Sequence, residues 1–116
     1  MPYVLGRMFA VLEKIQKDAN PGINATIKDR YIGAASERPA TVYYKLLQLS
    51  NHHQNKLSEG SKVYYTRLLA DLMACFDQPY PNHLNAYDQG VWYIGYYHQV
   101  QELYKKKSDN TNKEEE

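Results

Sequence analysis

Cysteine is nearly absent from this 116-residue chain: Cys75 stands alone, which excludes an internal disulfide framework. In the run Leu72-Met73-Ala74-Cys75-Phe76 it reads as a buried thiol, a small hydrophobe with no neighbouring base to activate it. Long apolar runs are also missing. Nothing approaches the roughly 20 consecutive apolar residues of a membrane span, and Met1 to Phe9 lacks the pattern of a secretion signal. The expected location is therefore the cytoplasm. No sustained alternation of apolar and polar residues suggests a set of strands, and no internal repeat is visible.

Catalytic and metal-binding patterns are equally scarce. The histidines are His52, His53, His83 and His98, and no Cys/His spacing resembles a zinc module. His52 and His53 are adjacent, so on a helix they point about 100° apart and do not readily share a ligand. His53 and His98 are read as core or interface hydrogen-bonding residues. Asp71 and Asp77 are six apart, a poor spacing for one helix face, and Asp88 reads as a helix-start residue. A two-metal nuclease needs several convergent carboxylates, and no such set stands out. There is no phosphate-binding or dinucleotide-binding glycine loop. The expectation is a non-enzyme with no cofactor and no metal.

What the chain has is helical periodicity, tyrosine and unevenly placed charge. Leu5, Met8, Phe9, Leu12 and Ile15 share one face of a first helix, and Asn20-Pro21-Gly22 stops it. A second helix is expected over 24–34, capped by Asn24 or Thr26, with Ile27 and Tyr31 inward. A third runs from Pro39 to about Leu57, with Val42, Leu46, Leu49 and His53 inward. A fourth, capped by Ser61, covers 62–76 and buries Tyr65, Leu68, Leu69, Leu72, Cys75 and Phe76. Asn85 caps a fifth from Ala86 to about Lys106. There Val91, Ile94, His98 and Gln101 form one face, and Tyr93, Tyr96, Tyr97, Val100 and Tyr104 a second. Gly95 costs helix propensity, which close approach by another helix would offset. The fold class is all-α: a compact antiparallel bundle of about five helices over 1–107, followed by a disordered acidic tail over 108–116.

The net charge is +1, but the tail sets Lys113 against Asp109, Glu114, Glu115 and Glu116, a net of −3. The first 107 residues hold 13 Lys/Arg against 9 Asp/Glu, a net of +4. Gathered on one face, that excess suits phosphate binding. Arg7 and Lys14 are seven apart on the first helix. Lys28 and Arg30 lie on the second. Arg38, Lys45, His52 and Lys56 follow one side of the third, and Lys62 and Arg67 lie at and after the start of the fourth. Arg7, Lys14, Lys45 and Lys56 are the leading candidates for DNA phosphate contact; Lys28, Arg30, Arg38, Lys62 and Arg67 are secondary. The Lys105-Lys106-Lys107 run serves either a helix C-terminus or nucleic acid. The 12 tyrosines suit half-buried packing and partner contact, with base stacking as the alternative.

A resemblance adds a setting. The run YVLGRMFAVLEKIQKDANPGINATIKDRYIGAAS over 3–36, LLQLSNHH over 46–53, DQG over 88–90 and GYYHQ over 95–99 together cover nearly all of 3–104. They resemble the C-terminal region of the Csd1 family, the large subunit of type I-C CRISPR surveillance complexes. Large subunits of that family carry a substantial region before this stretch. The resemblance therefore implies a small subunit made separately by internal translation, with an excised domain as the alternative. It implies a non-catalytic brace along the complex that stabilises target DNA in the R-loop through phosphate contacts. The implied partners are the large and backbone subunits, neighbouring small-subunit copies, target DNA, and guide RNA in the same complex, with no membrane. The rival expectation is a protein-only scaffold that uses Tyr43, Tyr44, Tyr64, Tyr80 and Tyr93 at subunit contacts while the lysines face water.

Overall fold

A computed structural model describes the backbone of residues 1–115 and the side chains of residues 1–105. It contains five helices and, among the described residues, no strand: α1 (Pro2–Ala19), α2 (Ile27–Glu37), α3 (Pro39–Gln54), α4 (Glu59–Met73) and α5 (Ala86–Glu115). The all-α bundle is as expected. The tail expected over 108–116 lies outside the residues described with their side chains.

α1 is the hub and packs against each of the other four helices. Its predicted stripe, Leu5, Met8, Phe9, Leu12 and Ile15, is at most 2% exposed. Ala10, Val11, Glu13 and Gln16 are buried as well, so α1 is covered on nearly all sides rather than on one face. Such a position needs partners for its polar groups. Gln16 accepts a hydrogen bond from the Ile27 backbone N–H at 2.8 Å, which ties the start of α2 to α1.

Capping chemistry sets the other helix starts. Thr26 and Asp29 form a reciprocal box: the Asp29 N–H donates to Thr26 Oγ1 at 3.3 Å, and the Thr26 N–H to Asp29 Oδ2 at 3.2 Å. α2 thus begins after Thr26, not at Asn24. α4 begins one turn earlier than expected. Ser58 is its cap and accepts from the Ser61 N–H at 3.3 Å, so Ser61 lies inside the first turn. Starting earlier, α4 also ends earlier, and Cys75 falls beyond it. That thiol is exposed, contrary to the expected burial, and donates to the Asp71 carbonyl at 3.4 Å. Asn85 caps α5 as expected, accepting from the Asp88 N–H at 2.8 Å.

Two inward faces differ from their predicted positions. α3 buries Val42, Tyr43, Leu46, Ser50 and Gln54, while Leu49 and His53 are half-buried at the edge of that face. Tyr43 draws the helix round: its hydroxyl donates to the Leu5 carbonyl and accepts from Trp92 Nε1 at 3.0 Å, joining α3, α1 and α5. α5 buries Trp92, Tyr96, Gln99 and Leu103, whereas Ile94 and Tyr97, both predicted inward, are exposed. Phe9 of α1 packs between Trp92 and Tyr96, with ring centroids 5.3 and 5.8 Å away. Gly95 does meet another helix closely, as expected: a Cβ there would lie 2.0 Å from the Tyr3 carbonyl oxygen.

Burial pushes the phenols of Tyr43, Tyr65, Tyr80 and Tyr96 above the ordinary tyrosine range. Tyr65 and Tyr96 are raised further by donating to the carboxylates of Asp18 and Glu13. In the unfolded chain these groups ionise near pH 10. Their contribution to stability is therefore complete below about pH 10 and is lost as pH rises toward the higher folded values. The expected result is alkaline unfolding in which tyrosinate absorbance from these residues appears together with loss of helical circular dichroism. Ionisation of all tyrosines before the helix signal falls would contradict it.

Candidate nucleic-acid interface

The nine candidate cations are not all placed on one surface. Arg7 turns toward α5: its Nε–H donates to Gln99 Oε1 at 2.8 Å, and Nη2 is 3.7 Å from Glu102 Oε2. Lys14 donates to Asp18 Oδ1 at 3.0 Å and sits 5.3 Å over the Tyr104 ring, with its side chain only 13% exposed. These two leading candidates hold intramolecular partners. Arg67 is exposed on α4 but shares a groove with the carboxylates of Asp71 and Glu102. Lys62 is half-buried in the first turn of α4, and Arg38 is exposed at the α2–α3 joint. Lys28 is exposed, with its ammonium 5.8 Å from the Tyr96 ring centroid.

A different subset is brought together where α2 packs on α3. Arg30 and Lys45 line one groove of about 450 Å³ with Tyr31, Leu49, His53 and Gln16, and no carboxylate contributes to that lining. Lys45 places its ammonium 5.3 Å from the Tyr31 ring centroid, which steadies it while leaving it exposed. Lys56 follows the end of α3 and donates its backbone N–H to the His53 carbonyl at 3.0 Å. The spacing of Lys45, Leu49 and His53 at four-residue steps puts all three along one side of α3.

His53 is the site residue that a reading of charge alone passes over. Its imidazole lines the groove, and its buried Nδ1 has no hydrogen-bond partner. Burial lowers its pKa, and the neighbouring His52 and Lys56 lower it further. The ring therefore favours its neutral form in a locally positive setting. A phosphate would act in the opposite sense, favouring the imidazolium.

Among the described residues, no three His, Cys, Asp or Glu side chains converge as a metal site. No helix among them is long and apolar enough to cross a membrane. The groove thus presents a guanidinium, an ammonium and an aromatic ring beneath that ammonium.

No curated protein matches the chain. Its residues 1–104 match the family model described as CRISPR-associated protein (Cas_Csd1), which is nearly the whole sequence. With that span covered, the chain belongs to the Csd1 family of CRISPR-associated proteins.

Proposed function

We propose that this protein is a non-catalytic small subunit of a type I-C CRISPR surveillance complex in the cytoplasm. It braces the assembly and stabilises target DNA in the R-loop through phosphate contacts. Its partners in this reading are the large and backbone subunits, neighbouring small-subunit copies, target DNA, and guide RNA in the same particle. The observation that carries the reading is the α2–α3 groove, where Arg30 and Lys45 meet His53 without a carboxylate and Lys56 stands beside them. R-loop formation exchanges a DNA duplex for a heteroduplex of similar stability, so a few backbone contacts are enough to tip it.

The test is DNA retention by the reconstituted complex across a salt series. Neutralising Arg30, Lys45 and Lys56 together to glutamine should weaken retention and lower the slope of log affinity against log salt by about 3. Neutralising Arg7 and Lys14 should change that slope less, because their charges already face Asp18 and Glu102. An unchanged slope with folding and assembly intact would reject the phosphate contacts. Poor assembly with normal retention once assembled would favour the protein-only scaffold. Of the tyrosines expected for that scaffold, Tyr44 and Tyr64 are exposed; Tyr43 is fully buried, and Tyr80 and Tyr93 are half-buried.

A further inference from the structure

The outer face of α5 carries a second pattern, independent of the nucleic-acid reading. Tyr87, Gly90, Ile94, Tyr97, Gln101 and Tyr104 recur at alternating steps of three and four, and every one of them is exposed. Alternating three- and four-residue spacing is the seam of a two-helix coiled coil. The residues that α5 buries against the bundle, Trp92, Tyr96, Gln99 and Leu103, lie on the opposite side. α5 is therefore two-sided: one stripe packs against its own domain, and the other is an uncharged, largely aromatic strip that faces solvent except where Lys14 of α1 meets the Tyr104 ring. Tyr87 is 79% exposed, Ile94 52%, Tyr97 51% and Tyr104 47%.

We infer that this strip is an interface for a second copy of the same chain, with the two α5 helices packed antiparallel. The strip is its own complement in that orientation. Turning one helix end for end about the midpoint between Ile94 and Tyr97 sets Tyr87 of one copy opposite Tyr104 of the other. It sets Ile94 opposite Tyr97, and Gly90 opposite Gln101. Each large residue then meets a large one, and the long Gln101 side chain lies across the open backbone at Gly90, where nothing in the domain comes within 4 Å of a Cβ position. A parallel pairing stacks Gly90 on Gly90 and leaves a gap in the seam between Tyr87 and Ile94. No seam position carries a charge, and the Lys14 ammonium that lies 5.3 Å over the Tyr104 ring is already paired with Asp18.

The area is adequate for a weak, specific contact. An aromatic side chain buries about 150–250 Å². At the exposures above, the four large side chains would remove on the order of 500 Å² per copy, or about 1,000 Å² in total, the lower limit for a specific interface. The seam spans 18 residues, about 27 Å of helix, enough for two and a half heptads. An interface at that lower limit falls in the weak, transient class.

The test uses the full chain alone, without nucleic acid or other subunits. Sedimentation should show a monomer–dimer equilibrium with its midpoint between about 10 and 1,000 μM. Ile94→Glu should raise the dissociation constant at least about tenfold. Its helix content and melting should stay at the wild-type level, because the side chain is half exposed in the monomer. Orientation is read by oxidative cross-linking in a Cys75→Ser background. Tyr87→Cys combined with Tyr104→Cys should give a covalent dimer. Tyr87→Cys alone should not, since the two copies of that position lie about 25 Å apart in the antiparallel pair, far beyond disulfide reach. A monomer at every concentration overturns the inference and leaves the strip to a different subunit. So does a dimer indifferent to Ile94→Glu, and efficient cross-linking by Tyr87→Cys alone overturns the antiparallel arrangement.

Discussion

Gly6→Ala should leave the bundle largely unfolded, or lower its unfolding free energy by about 3 kcal/mol or more. A Cβ on Gly6 would lie 1.9 Å from the Trp92 carbonyl oxygen, 2.8 Å from its carbon and 2.9 Å from the Tyr96 nitrogen. All three atoms are backbone, so no side-chain rotation relieves the contact. The crossing is reciprocal, because a Cβ on Gly95 would meet the Tyr3 carbonyl oxygen at 2.0 Å and its carbon at 2.9 Å. The two helices touch main chain to main chain at both points, and one methyl group must push them apart. Separation there opens the Phe9–Trp92–Tyr96 ring cluster that forms the centre of the core. Gly33→Ala in α2 is the matched control: nothing lies within 4 Å of its Cβ position, and the change should stabilise by about 0.5–1 kcal/mol. Urea denaturation followed by circular dichroism checks both. A Gly6→Ala midpoint close to that of wild type would show that the crossing relaxes at little cost.

That crossing also marks where the sequence is legible and where it is not. The α1 stripe is visible in spacing alone because Leu, Met, Phe and Ile leave no doubt about which side is apolar. The α5 start is visible because Asn85 carries its capping partner within three residues, whereas spacing leaves Asn24 and Thr26 both open for α2 and the Thr26–Asp29 box decides between them. Gly95 stands out as a glycine inside a helix, a cost that close packing explains. Gly6 obeys the same logic but lies near a helix start, where a glycine is less conspicuous. The α5 face is harder to read, because aromatic residues surround the helix and tyrosine suits both core and surface. The close approach of Gly6 and Tyr3, with the hydrogen bonds of Trp92 to Tyr43 and of Tyr96 to Glu13, turns Trp92 and Tyr96 inward while Ile94 and Tyr97 turn out.

The candidate site divides in the same way. Lys45 and His53 share one side of α3, a relation contained in local spacing, whereas α3 ends at Gln54, short of the expected Leu57, and leaves Lys56 in the turn beyond it. Asp18 is one turn from Lys14, so that pairing is also local. Glu102 lies on a different helix from Arg7, and no periodicity announces their approach. Arg30 joins Lys45 only because Gln16 and the Thr26 box fix where α2 begins against α1 and α3. His53 looks like an inward residue by spacing and proves to be an edge residue, because Tyr43 rotates α3 toward Leu5 and Trp92.

Tyr96→Phe is expected to cost about 3 kcal/mol, well above the usual effect of deleting one neutral hydroxyl. The reason is Glu13, whose side chain is 6% exposed in the middle of α1. Its Oε1 accepts the Tyr96 hydroxyl at 2.6 Å, its buried Oε2 has no hydrogen bond, and the Lys17 ammonium stands 3.9 Å from that second oxygen. Phenylalanine keeps the stacking against Trp92 but removes the hydrogen bond to Oε1, leaving neither carboxylate oxygen with one in the core. The penalty therefore comes from the unsatisfied charge and not from lost packing, and a double-mutant cycle separates the two. Glu13→Gln alone should be milder, since its amide oxygen can still accept the Tyr96 hydroxyl. In the Tyr96→Phe background the same change should recover part of the loss, with a coupling of about 1 kcal/mol or more. Strict additivity would mean that Lys17 neutralises Glu13 without help. The α1–α5 joint would then rest on its glycines, its aromatic rings and the Arg7 contacts to Gln99 and Glu102.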